Sequence, residues 1–337
     1  MIEVGFHMGP VVLSGTPTAQ QWNEHVDQVR AAADEGFRFF SVGTHWVIHP
    51  FQYFSIFPWL SRLTTAAPDL TVVSSVVLVP LGHPVDLASR VATIDVISGG
   101  RFRFGCGLGY RALEFDMFDR SRRHRAPLFE ESLELMFRLW SGEKVTHHGR
   151  FFTLDDVALS TLPIQRPRPP IWIATNSEPA TRRAARMGDA PFWSPFFDLP
   201  TLKEHRAIFD AERSQAGLPP PAEIPIAREY SVGRTHRQAV DDGAAGMAKK
   251  WEVYAEHGLQ GSLSEDDKKL LADFDTMARG TFIIGEPAEC ADQIELYASE
   301  LGITHMKLRL QYPGMPHSQV MERIRLTGEV IRRLGIT

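Results

Sequence analysis

With 337 residues, 43% of them hydrophobic, and a formal net charge of −5, the chain has enough apolar mass for one large core. Its mild acidity argues against a polyanion partner and so against nucleic acid. The two cysteines, Cys106 and Cys290, are too few for a disulfide framework and suit a reducing cytoplasm. The start, Met1-Ile-Glu-Val-Gly-Phe-His7, has no basic or long apolar stretch, and no run reaches the roughly 18 apolar residues that cross a bilayer. A cytoplasmic protein without membrane contact is expected.

Along the chain, strands and helices alternate. Ile2–Phe6 reads as the first strand, and Thr18 to Gly36 as a helix with Thr18 at its N-cap and Gly36 ending it. Phe39–Thr44 is strand two, Ser55–Ala67 helix two and Thr71–Val77 strand three. Pro84–Ser98 makes a helix that starts on proline, where a missing N–H costs nothing. Gly99 and Gly100 then turn the chain into Phe102–Gly107, which alternates like a strand. It runs into Gly105, Gly107 and Gly109, bare positions where a flat or phosphorylated ligand can approach the backbone. A dinucleotide loop would need Gly-x-Gly-x-x-Gly opening straight into a helix, whereas Tyr110 to Arg125 reads as a polar and aromatic loop.

Ala126–Trp140 is the next helix, followed by strand five at Pro170–Ala174 and a short helix at Pro179–Met187. Ala190–Ser194 is strand six and Leu199–Ala216 its helix; Ile224–Val232 and His305–Leu310 are strands seven and eight, and Ser318–Leu334 closes the chain. This alternation predicts parallel pairing and an α/β fold, the (β/α)8 or TIM barrel, as a single domain over residues 1–337. A doubly wound open sheet is the alternative. Two stretches exceed a plain barrel. Val145–Arg168 carries Gly149-Arg-Phe-Phe152 and suggests a small strand excursion. The longest insertion, Arg234–Gly285, lies between strands seven and eight and includes the charged run Glu265-Asp-Asp-Lys-Lys269. Residues 234–285 are a lid candidate, against a solvated helical excursion.

A barrel enzyme draws its reactive groups from the C-terminal ends of strands. Here those ends are Phe6-His7, Thr44-His45, Ser75-Val76, Cys106-Gly107, Asn176-Ser177, Trp193-Ser194 and Glu229-Tyr230. The set is neutral and partly apolar, which suits an aromatic cofactor better than a metal or a sugar. His45 leads as the chemical group, because imidazole titrates near neutral pH. Glu114, the first carboxylate after the glycine loop, is a candidate acid or an exposed salt-bridging residue. Asn176 and Ser177 precede a helix whose first amides form an anion site, unless Ser177 is only an N-cap. Cys106 reads as packing or contact rather than a reactive thiol, and Tyr110 can close over a ligand.

Arg120, Arg122, Arg123 and Arg125 read as a solvated run, with anion holding as the alternative. His147 and His148 are adjacent and so face opposite sides of a strand, which is poor for one metal, and no metal site is expected. The aromatic cluster Trp46, Phe51, Tyr53, Phe54, Phe57 and Trp59 walls an apolar pocket in part. A barrel glycosidase would need two facing carboxylates, for which Glu114 and Glu229 are the credible pair.

The segment Asp95 to Tyr110 resembles the bacterial luciferase-like family of flavin-dependent oxidoreductases. The resemblance continues through Ser41-Val-Gly-Thr-His45, Val76-Val-Leu-Val-Pro80 with His83-Pro84, Leu139-Trp-Ser-Gly142 and His148-Gly-Arg-Phe-Phe152. It extends over Pro163-Ile-Gln-Arg-Pro167, Pro169-Pro-Ile-Trp-Ile-Ala174, Gly285-Glu-Pro-Ala288 and Met306-Lys-Leu-Arg-Leu310. It implies a monooxygenase in which reduced FMN from a separate flavin reductase, together with O2, oxygenates a small organic substrate. Hydride transfer by a deazaflavin coenzyme of the F-420 type is the alternative; a barrel hydrolase or a non-catalytic flavin-binding relative is more remote.

The resemblance further implies a flavin role for His45, preceded here by Thr44 where the family often has an acid or Gln, a departure that favours FMN. It implies a non-proline cis peptide at Ser75-Val76, a flavin phosphate on Ser177 with Asn176 and Thr181 beside it, and an acid near Glu114. Phe6, Thr44, Cys106, Gly107, Gly109, Tyr110, Trp193 and Ser194 complete the candidate cofactor contacts. Relatives commonly dimerise, so a homodimer around helices two and three is expected.

Overall fold

The computed structural model describes residues 2–9, 11–256 and 274–335. Strand β1 (Glu3–Met8) lies parallel between β2 (Phe39–Val42) and β12 (His305–Arg309). From β2 the sheet runs through β3 (Thr71–Ser74), β5 (Phe102–Gly107), β8 (Ile171–Thr175), β9 (Ala190–Trp193) and β10 (Pro225–Val232) back to β12. Eight parallel strands thus close a (β/α)8 barrel, sealed between β9 and β10 by the Ile226–Trp193 register. Outside it lie α1 (Thr18–Asp34), α2 (Ile56–Ala66), α3 (Pro84–Ile97), α5 (Arg125–Trp140), α6 (Glu178–Met187) and α7 (Leu199–Gln215). The ring is completed by α8 (His236–Glu256), α10 (Pro287–Leu301) and α11 (His317–Arg333).

The period-2 alternation of the strands sorts side chains into two layers. In β1, Val4, Phe6 and Met8 face the helices and join a large core with Val29, Leu60, Val91, Met136 and Ile324. A smaller cluster of Phe39, Val73, Trp172, Ala190, Phe192 and Ala227 fills the barrel interior. Each fully buried aliphatic or aromatic side chain of these layers stabilises the fold by about 1.5–3 kcal/mol. The Trp140 indole N–H donates to the Ala88 carbonyl at 3.0 Å and locks α5 onto α3. At Gly105 a Cβ would meet the Ser74 carbonyl oxygen at 1.8 Å, so β3 and β5 can run this close only on glycine.

Three local features differ from or refine the sequence reading. Tyr110 to Arg125 is not a loop throughout: Ala112–Met117 forms α4, and Arg122–His124 a 3-10 turn. Strand three pauses at the non-proline cis peptide Ser75–Val76 and resumes as β4 (Val77–Leu78) against β5. The excursion at Val145–Arg168 carries the antiparallel pair β6 (Val145–His148) and β7 (Thr153–Val157).

Within the long insertion, α8 is followed by α9 (Phe274–Thr281) and β11 (Phe282–Gly285). The sequence reading had no strand there, yet β11 pairs parallel with the second half of β10, from Glu229 to Val232. Residues 257–273, including the charged run at 265–269, lie outside the described residues. Among the described residues, no helix is long and apolar enough to cross a membrane.

Candidate functional site

The chain leaves β2 after Val42 and carries His45 to the C-terminal rim, where α4 brings Glu114 to meet it. The imidazole Nδ1 lies 3.0 Å from Glu114 Oε1, and Arg111 Nη1 donates to the same oxygen at 3.3 Å. Arg111 also donates to the Val47 carbonyl at 2.8 Å, tying α4 to the segment after β2. Burial pushes the Glu114 carboxyl up, but the bond and charge of His45, the charge of Arg111 and the Trp46 amide hold it below the usual 4.5.

An ionised carboxylate only accepts, so Nδ1 carries the proton and Nε2 is left as the working nitrogen. Tyr53 and Tyr110 stand 6.0 and 6.3 Å from the imidazole, ring centre to ring centre. Sequence reasoning named His45 and Glu114 separately, and the structure brings them together. It missed Arg111, whose spacing of three from Glu114 matters only once α4 is a helix.

On the same rim, the end of β5 carries no side chain at Gly107, between Val76 and Ala174. A Cβ on Gly107 would come within 3.2 Å of Val76 Cγ2 and 3.3 Å of Ala174 Cβ, so bulk here would close the face of the barrel. The Thr44 hydroxyl is buried with no hydrogen-bond partner among the described residues, although a buried hydroxyl ordinarily finds one.

Further round the rim the chain gathers cations. Arg125 donates to the Gly109 carbonyl and Arg122 to the Tyr110 carbonyl, each at 3.2 Å. Burial and the neighbouring charges of Arg122 and Arg183 lower Arg125 from its ordinary value, the signature of crowded guanidiniums. The basic run read as solvated therefore has two members that brace the glycine loop. Ser177 is the N-cap of α6, but its hydroxyl makes no capping bond, and both Asn176 and Ser177 are exposed. This helix start offers unsatisfied amides to an anion.

The structure places four of the candidate cofactor contacts away from the barrel interior. Phe6 packs on Phe37 in the strand–helix layer, and Cys106 and Trp193 belong to that same layer. Cys106 is fully buried, which pushes its thiol up. The inward residues at these strand ends are their neighbours His7, Gly107 and Phe192. Thr181 is buried and its hydroxyl is engaged by His205 Nδ1 at 2.7 Å. Ser194 is half-buried and accepts from the Phe196 amide at 3.3 Å.

The strand-end set is also not neutral. Glu229, Arg309, Lys307 and His7 crowd one side of the barrel, with Lys250 of α8 reaching in to Glu229 at 2.8 Å. The signal was the alternation Lys307, Arg309 in the last strand, polar at every inward position.

Glu114 and Glu229 are both held low by cations, whereas a glycosidase needs one carboxyl raised to donate its proton. Among the described residues, no three His, Cys, Asp or Glu side chains gather as a metal would require. A strand end bare at Gly107, an orphaned Thr44 hydroxyl and an uncapped helix start instead fit a flat ring with an anionic tail.

Comparison with known proteins gives the same direction. The chain is 30% identical over 173 residues to an F420-dependent hydroxymycolic acid dehydrogenase of Mycobacterium tuberculosis, covering 49% of this chain and 47% of that one. It is 25% identical over 180 residues to the oxygenase component of a flavin-dependent trigonelline monooxygenase of Acinetobacter baylyi, covering 50% and 47%. In these alignments the chain spans about half the length of the curated relatives it matches. The solved structure of the monooxygenase RslO1 from Streptomyces bottropensis shares its fold, with a TM-score of 0.85 at 23% identity over 98% of this chain and 99% of that one. The model of the luciferase-like monooxygenase family matches residues 3–305. The chain belongs to the luciferase-like monooxygenase family.

Proposed function

We propose that this protein is the oxygenase of a two-component flavin system. It would take reduced FMN from a separate reductase, use O2 and oxygenate a small organic substrate. One observation carries the reading: the carboxylate-backed imidazole of His45 stands at the barrel mouth next to the buried, unpartnered Thr44 hydroxyl. Bound reduced FMN would supply the electrons that activate oxygen, chemistry no side chain provides.

The residues have separable tasks. Gly107 and the Ser75–Val76 turn give the ring a flat backing, and Thr44 completes its hydrogen bonding. Ser177, Asn176 and the first amides of α6 hold the phosphate, with Arg125 and Gly109 shaping the loop opposite. His45 holds or moves a proton through Nε2, while Glu114 fixes its tautomer and stabilises the charged imidazole. Tyr53 and Tyr110 shield that imidazole from water. A homodimer through the α2–α3 face completes the proposal, supported by Val96 and Ile97, each 43% exposed at the end of α3.

A second reading, hydride transfer with a deazaflavin coenzyme, is favoured by the same carboxylate-backed imidazole, because that reaction also needs a proton donor or acceptor at the substrate. Anaerobic titration of the purified protein with reduced FMN and, separately, reduced deazaflavin coenzyme separates the two. Tight binding of FMN, followed by oxygen-dependent reoxidation, is the expected result. Tight deazaflavin binding with indifference to FMN would replace the proposal with the second reading, and binding of neither would remove the cofactor assignment.

A further inference from the structure

Across the barrel from His45, a second carboxylate organises a wall of opposite character. Glu229 is 1% exposed on β10, and both Lys250 Nζ at 2.8 Å and Arg309 Nη1 at 3.0 Å donate to its Oε1. The strand register sets Glu229 beside Arg309, and Ala227 and Gly5 on either side of Lys307. Lys307 is buried, donates to Ser75 Oγ at 2.6 Å and sits 4.5 Å above the Phe192 ring. His7 is buried alongside, with Nδ1 at 2.9 Å from Ser41 Oγ.

Two cations therefore share one carboxylate, with Lys307 and His7 packed on the same side. Arg309 Nε is buried and, among the described residues, has no partner. Burial first, and then the charges of Lys307, Arg309 and Lys250, push His7 well below its ordinary value. Burial followed by Arg309 does the same to Lys307. Burial is the larger cause in both and the nearby cations add to it, so the surroundings favour a negative partner over a further positive charge. Buried charge in surplus is costly unless a counter-ion completes it. Phe192, part of the apolar interior cluster, lies under Lys307.

We propose that this wall receives the anionic group, a carboxylate or sulfonate, of the organic substrate, with Arg309 and Lys250 as its ligands. The assignment rests on reading the opposite wall as the flavin site. Glu229 then acts as a resident counter-ion that keeps the two cations charged and aimed while the subsite is empty. Two N–H directions serve the incoming anion: Arg309 Nε and the donors of Lys250 not spent on Glu229.

The test is calorimetric titration of the purified chain, without flavin and again loaded with reduced FMN under anaerobic conditions, using benzoate and its neutral isostere benzamide. Benzoate should bind at least tenfold tighter than benzamide in the wild-type chain. Arg309→Gln and Lys250→Gln should each remove most of that preference, whereas Glu229→Gln should strengthen benzoate binding several-fold by unmasking the cations. A wall that is only structural predicts no acid-over-amide preference and no gain in Glu229→Gln, and either result overturns the proposal. FMN affinity should stay within twofold in Arg309→Gln; its loss would show that the cations serve the flavin, which also overturns it. Failure of the flavin reading itself would appear separately, as a wild-type chain that prefers benzoate but binds no FMN.

Discussion

Two carboxylates serve the mouth of this barrel, Glu114 from α4 and Glu229 from β10, and their partners set them apart. Glu114 is paired with His45, a titratable ring whose second nitrogen is unspent, and with Arg111 behind it. Glu229 is paired with Lys250 and Arg309, which donate to the same oxygen at 2.8 and 3.0 Å. Both carboxylates are held ionised. One therefore supports a group that can gain and lose a proton, and the other supports a field that attracts an anion. The same side chain supports acid–base chemistry or charge recognition according to what it faces.

The comparison yields graded predictions. His45→Ala should lower flavin-linked turnover roughly 10²–10⁴-fold, the range for a positioned acid or base, with folding intact by circular dichroism. Turnover within twofold of wild type would remove His45 from the chemistry. Glu229→Gln should destabilise the fold by about 1.5–3 kcal/mol in urea titration, because it removes the charged acceptor shared by the part-buried Lys250 and Arg309. Glu114→Gln should cost less, about 1–2 kcal/mol, since a neutral imidazole can sit beside an amide. If the two variants were equally unstable, the distinction between the walls would fail.

Acid titration offers the smallest and most general check. The folded values of Glu114 and Glu229 lie below the usual 4.5, so the stability they contribute is complete above that pH and is lost as pH falls through the lowered values. His25, stacked on Trp59 and lowered by burial from 6.5 to about 4, is neutral in the fold. Its contribution falls as pH drops from 6.5 toward 4, and His25→Phe should flatten that part of the stability curve.

The barrel was legible in the sequence because each strand alternates and each helix carries an apolar stripe, signals that survive without tertiary context. His45 was legible as a strand end, and Glu114 only as the first carboxylate after the glycine loop. Phe6, Cys106 and Trp193 were named at strand ends without a face, because period-2 parity was not carried that far. Counting from the inward Gly105 and Gly107 would have turned Cys106 outward. Helix α4 was missed because six residues with no capping hydrogen bond leave little periodic signal. The cationic wall escaped because Lys250 approaches Glu229 from an insertion 21 residues downstream, a meeting only the closed barrel creates.

The most direct test of the two-wall account is a crossed measurement on His45→Ala and Arg309→Gln: reoxidation rate of bound reduced FMN in one assay, benzoate affinity in the other. The account predicts that His45→Ala slows the flavin reaction while benzoate affinity stays within twofold, and that Arg309→Gln weakens benzoate at least tenfold while the reoxidation rate without ligand stays within twofold. If each variant disturbed both properties alike, the walls would be one site with one task, and the division of labour drawn from Glu114 and Glu229 would be wrong.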